Sequence, residues 1–177
     1  MEHKINIIGI SGKQGNGKTT LANHIINNNK KYVKVSFAEN VRHIVSLITG
    51  INIDNLRSMK DKEYLYEPYN LTIRQLLQKV GTEMGRNIHP DVWTNSLFLN
   101  FNHNCYWIID DVRFENEFNI IKKYGGIVIR LNKSNHIDDQ HLSETALDHI
   151  DNWDLVINVD DYQNNVKGIY ELVEKLL

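Results

Sequence analysis

The sequence contains a single cysteine, Cys105, among 177 residues. No disulfide can form within the chain and no paired-cysteine metal site can be built, which suits reducing surroundings. Long apolar stretches are also missing. Runs such as Trp107-Ile108-Ile109 fall far short of the roughly 20 residues a membrane span needs, and the first residues lack the length and cleavage pattern of a secretory leader. A cytosolic protein with no membrane partner is therefore expected. There is no excess of positive charge either: 20 Lys and Arg stand against 22 Asp and Glu, a net charge of -2. That balance argues against long nucleic acid as a partner, whereas a small phosphate site needs only a few local cations. Prolines are scarce, only Pro68 and Pro90, and no repeat or low-complexity segment appears beyond the asparagine-rich turn at 27–31.

What is present is an ordinary globular composition, 41% hydrophobic and 24% charged, on a length that suits one α/β domain spanning 1–177. Gly12 to Thr19, Gly-Lys-Gln-Gly-Asn-Gly-Lys-Thr, matches the phosphate-binding loop pattern G-x-x-x-x-G-K-[ST]. Its flanks give it meaning. Lys4 to Ile10 is a short apolar run with the β-branching of a buried strand, and Thr20 to Ile26 reads as a helix. In such a context, glycines let backbone N–H groups turn toward phosphate oxygens, and the helix start adds unpaired N–H groups and a positive dipole end. Gly12, Gly15, Asn16, Gly17, Lys18, Thr19 and Thr20 are the candidate triphosphate-binding residues. Lys18 would reach the β- and γ-phosphates, and Thr19 would contribute to a Mg²⁺ shell.

The rest of the chain alternates strands and helices with one interruption. Tyr32 to Phe37 reads as a second strand, and Glu39 to Thr49 as a helix stopped by Gly50. Ile51 to Asn70 is polar and reads as loop with short helices. Thr72 to Arg86 has Ile73, Leu76, Leu77, Val80 and Met84 at helical spacing behind a capping box of Thr72 and Gln75. A further helix is expected from His89-Pro90-Asp91 to about Phe101, with Trp93, Leu97 and Phe101 in line. Cys105 to Ile109 is a third strand that ends in Asp110-Asp111. A carboxylate at such a strand end can hold or orient Mg²⁺, and the two aspartates compete for the role. Glu117 to Tyr124 reads as helix, with Lys122 and Lys123 on a solvated face. Ile127 to Leu131 and Leu155 to Asn158 read as the fourth and fifth strands, and about 165–177 as the closing helix.

Four strings together carry a family resemblance. They are Ser36-Phe37-Ala38 with Arg42; Thr72 to Gln78 continuing through Gly81-Thr82-Glu83-Met84-Gly85-Arg86 to Pro90-Asp91-Val92-Trp93; Asp111-Val112-Arg113-Phe114 with Glu117; and His141-Leu142-Ser143-Glu144 followed by Trp153 to Asn158. In this order they resemble the bacteriophage-type deoxynucleoside monophosphate kinases, a branch of the phosphate-loop nucleotide kinases. Some relatives have Lys-Asp-Thr where this chain has Lys18-Thr19-Thr20, and the lid of this chain has few arginines.

The resemblance implies a three-layer α/β kinase fold with a five-stranded parallel sheet, a helical acceptor-binding region at about 38–101 and a lid at about 132–150. It implies phosphoryl transfer from ATP, with Mg²⁺, to a deoxynucleoside 5′-monophosphate. Lys18, Asp111, Arg113 and Arg130 would serve catalysis. Thr19 and Asp111 would serve the metal, and Phe37, Arg42, Glu83, Arg86, Trp93 and Arg113 the acceptor. For Phe37 and Trp93 core packing is the alternative, and for Glu83 and Arg86 a simple ion pair along one helix face. His136 and His141 lack metal-ligand spacing, and His141 to Glu144 suggests a lid anchor in which Ser143 caps a helix and Glu144 holds an arginine. Location would be cytoplasmic, in the host if the chain is viral, with homodimerisation open. Two other functions remain: a kinase of another small acceptor such as dephospho-coenzyme A, and a nucleotide-gated binding protein without acceptor turnover.

Overall fold

In the computed structural model, residues 5–58, 63–99, 101–102, 104–134, 142–162 and 165–176 are described, apart from the side chains of Glu144 and Tyr162. The strands among them are β1 (Ile7–Ser11), β2 (Val33–Val35), β3 (Leu65–Tyr66), β4 (Leu71–Thr72), β5 (Trp107–Val112), β6 (Ile127–Asn132) and β7 (Leu155–Asn158). The helices are α1 (Lys18–Asn28), α2 (Glu39–Thr49), α3 (Ile53–Ser58), α4 (Ile73–Gln78), α5 (Gly85–Ile88), α6 (Val92–Phe98), α7 (Glu115–Lys123), α8 (Leu142–Thr145) and α9 (Val166–Glu174). Among the described residues no helix is long and apolar enough to cross a membrane. The chain divides into two compact units, one of Met1–Ser36 with Asn100–Leu177, the other Phe37–Leu99.

The first unit holds the expected parallel sheet, in the order β2-β5-β1-β6-β7. β1 is buried along its whole length, because a parallel sheet is covered on both faces and its central strands read as unbroken apolar runs. On one face Ile8, Ile10, Ile129, Leu131 and Ile157 pack with Leu21, Ala22 and Ile25 of α1 and with Ile169 and Val173 of α9. On the other, Phe118 of α7 meets the edge of Trp153 at 5.2 Å between ring centroids. Lys122 is not merely solvated. Its ammonium pairs with Asp154 at 2.5 Å, and the second oxygen of that carboxylate accepts from the Val128 amide at 2.6 Å, so the end of α7 is tied to the start of β6. Phe101 lies beyond the helix expected to contain it and packs edge-on against Trp107 and Tyr124.

The order of strands makes β1 the switch point, with β5 and β2 on one side and β6 and β7 on the other. In open α/β sheets ligands bind beyond the carboxyl ends of the strands at this point.

The second unit is built around Val41, Val45, Leu56, Ile73, Leu76, Val80 and Trp93. α2 has the expected bounds and stops at Gly50, whose φ is +72°. The Thr72–Gln75 capping box is present: Thr72 Oγ1 accepts from the Gln75 amide at 3.2 Å and Gln75 Oε1 from the Thr72 amide at 2.8 Å. The segment 51–70, read as loop with short helices, holds the short helix α3 and also β3, which pairs with β4 just beyond it.

The single α-helix expected from Thr72 to Arg86 is instead α4, a π-helical stretch at Lys79–Met84, and α5. The wider turn of a π-helix rotates later residues off an α-helical face. Met84, expected on the apolar side, is accordingly 45% exposed. Gly85 opens α5. A Cβ at Gly85 would lie 2.2 Å from Cζ2 of Trp93, so glycine here lets the indole ring lie directly against the backbone.

Candidate active site

β1 ends at Ser11 and α1 begins at Lys18, with the loop between them at the switch point of the sheet. Gly12, Gly15 and Gly17 have φ of +146°, +82° and +83°, conformations that other residues adopt at a cost. The loop is anchored to β6 through one carbonyl. Asn16 is buried and donates to Leu131 O at 2.8 Å, and a Cβ at Gly12 would come within 2.5 Å of that same oxygen. Asn16 thereby holds the loop in shape.

The N-terminal turn of α1 has no acidic residue and no side-chain cap. Its first amides therefore make a partly positive end suited to an anion. Lys18 folds back over the loop and donates to the carbonyls of Gly12 and Lys13 at 2.5 and 2.8 Å. Thr19 and Thr20 follow it, both exposed.

The end of β5 supplies the acids. Against β1, Gly9 pairs with Ile109 but Ser11 with Val112, so β5 carries one extra residue where Asp110 and Asp111 lie. A bulge of this kind re-aims side chains and breaks simple alternation. Asp110, 7% exposed, accepts from the Thr19 hydroxyl at 2.7 Å and pairs with Lys34 of β2 at 2.6 Å. Asp111 accepts from the Ser36 hydroxyl at 2.6 Å. The hydroxyl of Thr19 is thus joined to Asp110. A hydroxyl and two carboxylates within this group form a hard oxygen donor set, the kind that suits Mg²⁺.

Cations complete the site. The Arg113 amide and that of Phe114 both donate to the buried carboxylate of Glu117, at 2.8 and 3.1 Å, which fixes the backbone from which Arg113 projects. Its guanidinium donates to the Ser143 carbonyl at 3.3 Å. Arg130, from β6, donates to Ser11 Oγ at 3.2 Å, pairs with Asp148 at 2.8 Å, and lies 5.4 Å from the centre of the Trp153 ring. Asp148 also faces the Lys13 ammonium at 3.8 Å. Lys13, Arg130, Leu147, Asp148, Trp153 and Val156 contribute to the lining of a cleft of about 420 Å³. Burial first, then the positive charge of Arg113 and more weakly of Arg130, bring Lys18 down to about 7, against the opposing pull of Asp110 and Asp111. Burial, more than the surrounding charges, is what lowers Lys18.

Lys18, Thr19, Asp111, Arg113 and Arg130 therefore share the first unit with the loop, while Phe37, Arg42, Glu83, Arg86 and Trp93 belong to the second. There Arg42 pairs with Glu39 at 3.3 Å. Burial works to raise the Glu39 carboxyl, but the hydrogen bond and charge of Arg57, with the charges of Arg42 and His43, hold it below its ordinary value. Glu83 pairs with Lys79 at 3.1 Å, and Arg86 donates to the Pro90 carbonyl at 3.0 Å. The ion pair considered for Glu83 and Arg86 is replaced by these two contacts. Phe37 stacks on Phe98 with centroids 6.3 Å apart, and Trp93 donates to Gly81 O at 2.6 Å. Both are buried, and packing inside this unit accounts for both. In the lid, Ser143 lies within α8 rather than capping it. His136 and His141 are outside the described residues, as are the Glu144 side chain and Lys4.

Sequence reasoning missed Lys34, Asp148 and Ser36 as parts of the site, and Glu117 as the brace of Arg113. The last had a signal, since a buried-strand end followed by an acid three or four residues into the next turn is a capping pattern. For Lys34 and Asp148 no local pattern exists.

A family model described as deoxynucleotide monophosphate kinase matches residues 48–169. A protein of Acanthamoeba polyphaga mimivirus, provisionally named a deoxynucleotide monophosphate kinase, is 29% identical over 169 residues, covering 85% of this chain and 86% of that protein. The solved dephospho-CoA kinase from Campylobacter jejuni is 14% identical with a TM-score of 0.48, covering 97% of this chain and 98% of that one. Because the family model spans well over half of its length, the chain belongs to the deoxynucleotide monophosphate kinase family and is a nucleotide kinase.

Proposed function

We propose that the enzyme moves the γ-phosphoryl group of ATP to the phosphate of a deoxynucleoside 5′-monophosphate, giving ADP and the deoxynucleoside diphosphate. An acceptor phosphate oxygen forms the new bond to the γ-phosphorus as the bond to the β–γ bridging oxygen breaks and ADP departs. The acceptor phosphate is an anion at neutral pH, so no general base is required. Catalysis then rests on in-line positioning and on neutralising charge that spreads over the transferring group.

The observation that carries the donor assignment is the Gly12–Gly17 loop, which leads into an uncapped helix start with Lys18 folded over it. On this reading Lys18 exchanges two backbone carbonyls for phosphate oxygens, and the first amides of α1 receive the same anion. Magnesium would be held by Thr19, with Asp110 as the better supported carboxylate, and when bound it neutralises the β- and γ-phosphate oxygens. Asp111, whose carboxylate accepts from Ser36, is the second choice. Arg113 and Arg130 would meet the transferring group. Arg42, Glu83 and Arg86 remain the polar candidates for the acceptor, with Phe37 and Trp93 supporting their helices from within.

A coupled assay of ADP formation across ribo- and deoxynucleoside monophosphates and dephospho-coenzyme A tests this reading. Turnover that depends on a deoxynucleoside monophosphate supports it. Turnover indifferent to every added monophosphate overturns it.

A further inference from the structure

We infer that Lys34 is a positioning residue for the metal: it stands in for a divalent cation beside Asp110 and keeps the metal out until nucleotide arrives. The inference rests on Thr19 and Asp110 forming the metal site of the proposed reaction. Its observation is one carboxylate oxygen with two donors. Asp110 Oδ2 lies 2.6 Å from the Lys34 ammonium and 2.7 Å from the Thr19 hydroxyl. Lys34 is part of β2, opposite Ile108 in the register with β5, so the sheet itself aims its stem at the strand end.

An exposed lysine–carboxylate pair contributes little. Asp110 is only 7% exposed, however, while the Lys34 side chain is 36% exposed. A charge buried to that degree needs a compensating partner, and removing the partner leaves it uncompensated. Among the described residues Lys34 is the cation in direct contact with it.

Two consequences follow for the chemistry. An oxygen that already accepts from an ammonium is an acceptor toward Thr19 as well, so the Thr19 hydroxyl is the donor. Its lone pairs are then directed away from Asp110, available to a metal. Secondly, a divalent ion arriving alone must compete with Lys34 for Asp110. A triphosphate reverses that balance by bringing its own negative charge. Lys34 would therefore yield Asp110 to a metal only alongside a bound triphosphate.

Titration of Mn²⁺ into the full chain, followed by electron paramagnetic resonance, tests this with and without a non-hydrolysable ATP analogue. In the nucleotide-free protein, Lys34→Met and Lys34→Gln are each expected to bind Mn²⁺ about tenfold tighter than the unsubstituted chain, the size of effect that partners of metal ligands exert. Lys34→Arg is expected to keep the metal out. A merely structural role for Lys34 produces no gain in affinity. Nucleotide-free affinities that agree within about twofold for the unsubstituted chain and both neutral variants overturn the inference while leaving the kinase reading intact. If the unsubstituted chain holds no Mn²⁺ even with the ATP analogue, the metal site at Thr19 and Asp110 is itself wrong, and the inference falls with it.

Discussion

The Thr19 hydroxyl donates to Asp110 across 2.7 Å, joining the first turn of α1 to the end of β5. Its neighbour Asp111 faces Ser36 instead. Two adjacent carboxylates thus hold different positions relative to the loop.

From this difference the two aspartates are expected to separate in kinetics. Asp110→Asn should lower Mg²⁺ affinity or turnover by roughly 10- to 100-fold, and Asp111→Asn by much less. Steady-state rates measured over a Mg²⁺ series check it. Equal losses in the two variants contradict it.

Lys18 makes the stability of the nucleotide-free protein depend on pH. Its value falls from 10.5 to about 7 on folding, so between these values the unfolded chain holds a proton that the native chain does not. Stability from this group therefore rises with pH across that window, and is lost as pH falls through about 7. Lys18→Met removes the burden of a buried charge. Relative to the unsubstituted chain it should raise the thermal midpoint more near pH 6 than near pH 10. A shift of the same size at both pH values contradicts this.

Gly85→Ala is expected to destabilise the Phe37–Leu99 unit. The added methyl would meet the Trp93 ring at 2.2 Å, and the ring is held by its hydrogen bond to Gly81 O. Overpacking of this kind costs about 1–3 kcal/mol. Denaturant unfolding followed by tryptophan fluorescence measures it, and an unchanged midpoint contradicts the tight packing.

The physical limits of sequence reading show in particular residues. The five strands were legible because a parallel sheet buries both faces and leaves continuous apolar runs, as in Trp107-Ile108-Ile109. The loop was legible because its glycines, Lys18 and Thr19 are contiguous. Asp110 and Asp111 could not be told apart, since the extra residue in β5 breaks the alternation that would have assigned their faces. Met84 was misplaced because a π-helical turn does not keep the 3.6-residue period. Lys34 and Asp148 find their partners only through tertiary structure, 76 residues from Asp110 and 18 from Arg130 respectively, and nothing local announces them.

Asp148 is expected to act against nucleotide binding. It occupies Arg130 at 2.8 Å and faces Lys13 at 3.8 Å, two cations beside the loop. It is 42% exposed, so its hold is weak, and Asp148→Asn should tighten ATP binding by only about two- to fivefold. The gain should shrink as salt is raised. Calorimetric titration at low and high ionic strength checks it, and weaker binding by the variant contradicts it.

The central claim is transfer between two nucleotides, and following the phosphorus tests it most directly. ATP labelled with ³²P at the γ-position is incubated with the enzyme, Mg²⁺ and a deoxynucleoside 5′-monophosphate, and the products are separated. The account predicts label in the β-phosphate of the deoxynucleoside diphosphate, and its loss in Lys18→Ala. Label released only as inorganic phosphate, at a rate unaffected by the monophosphate, would contradict it.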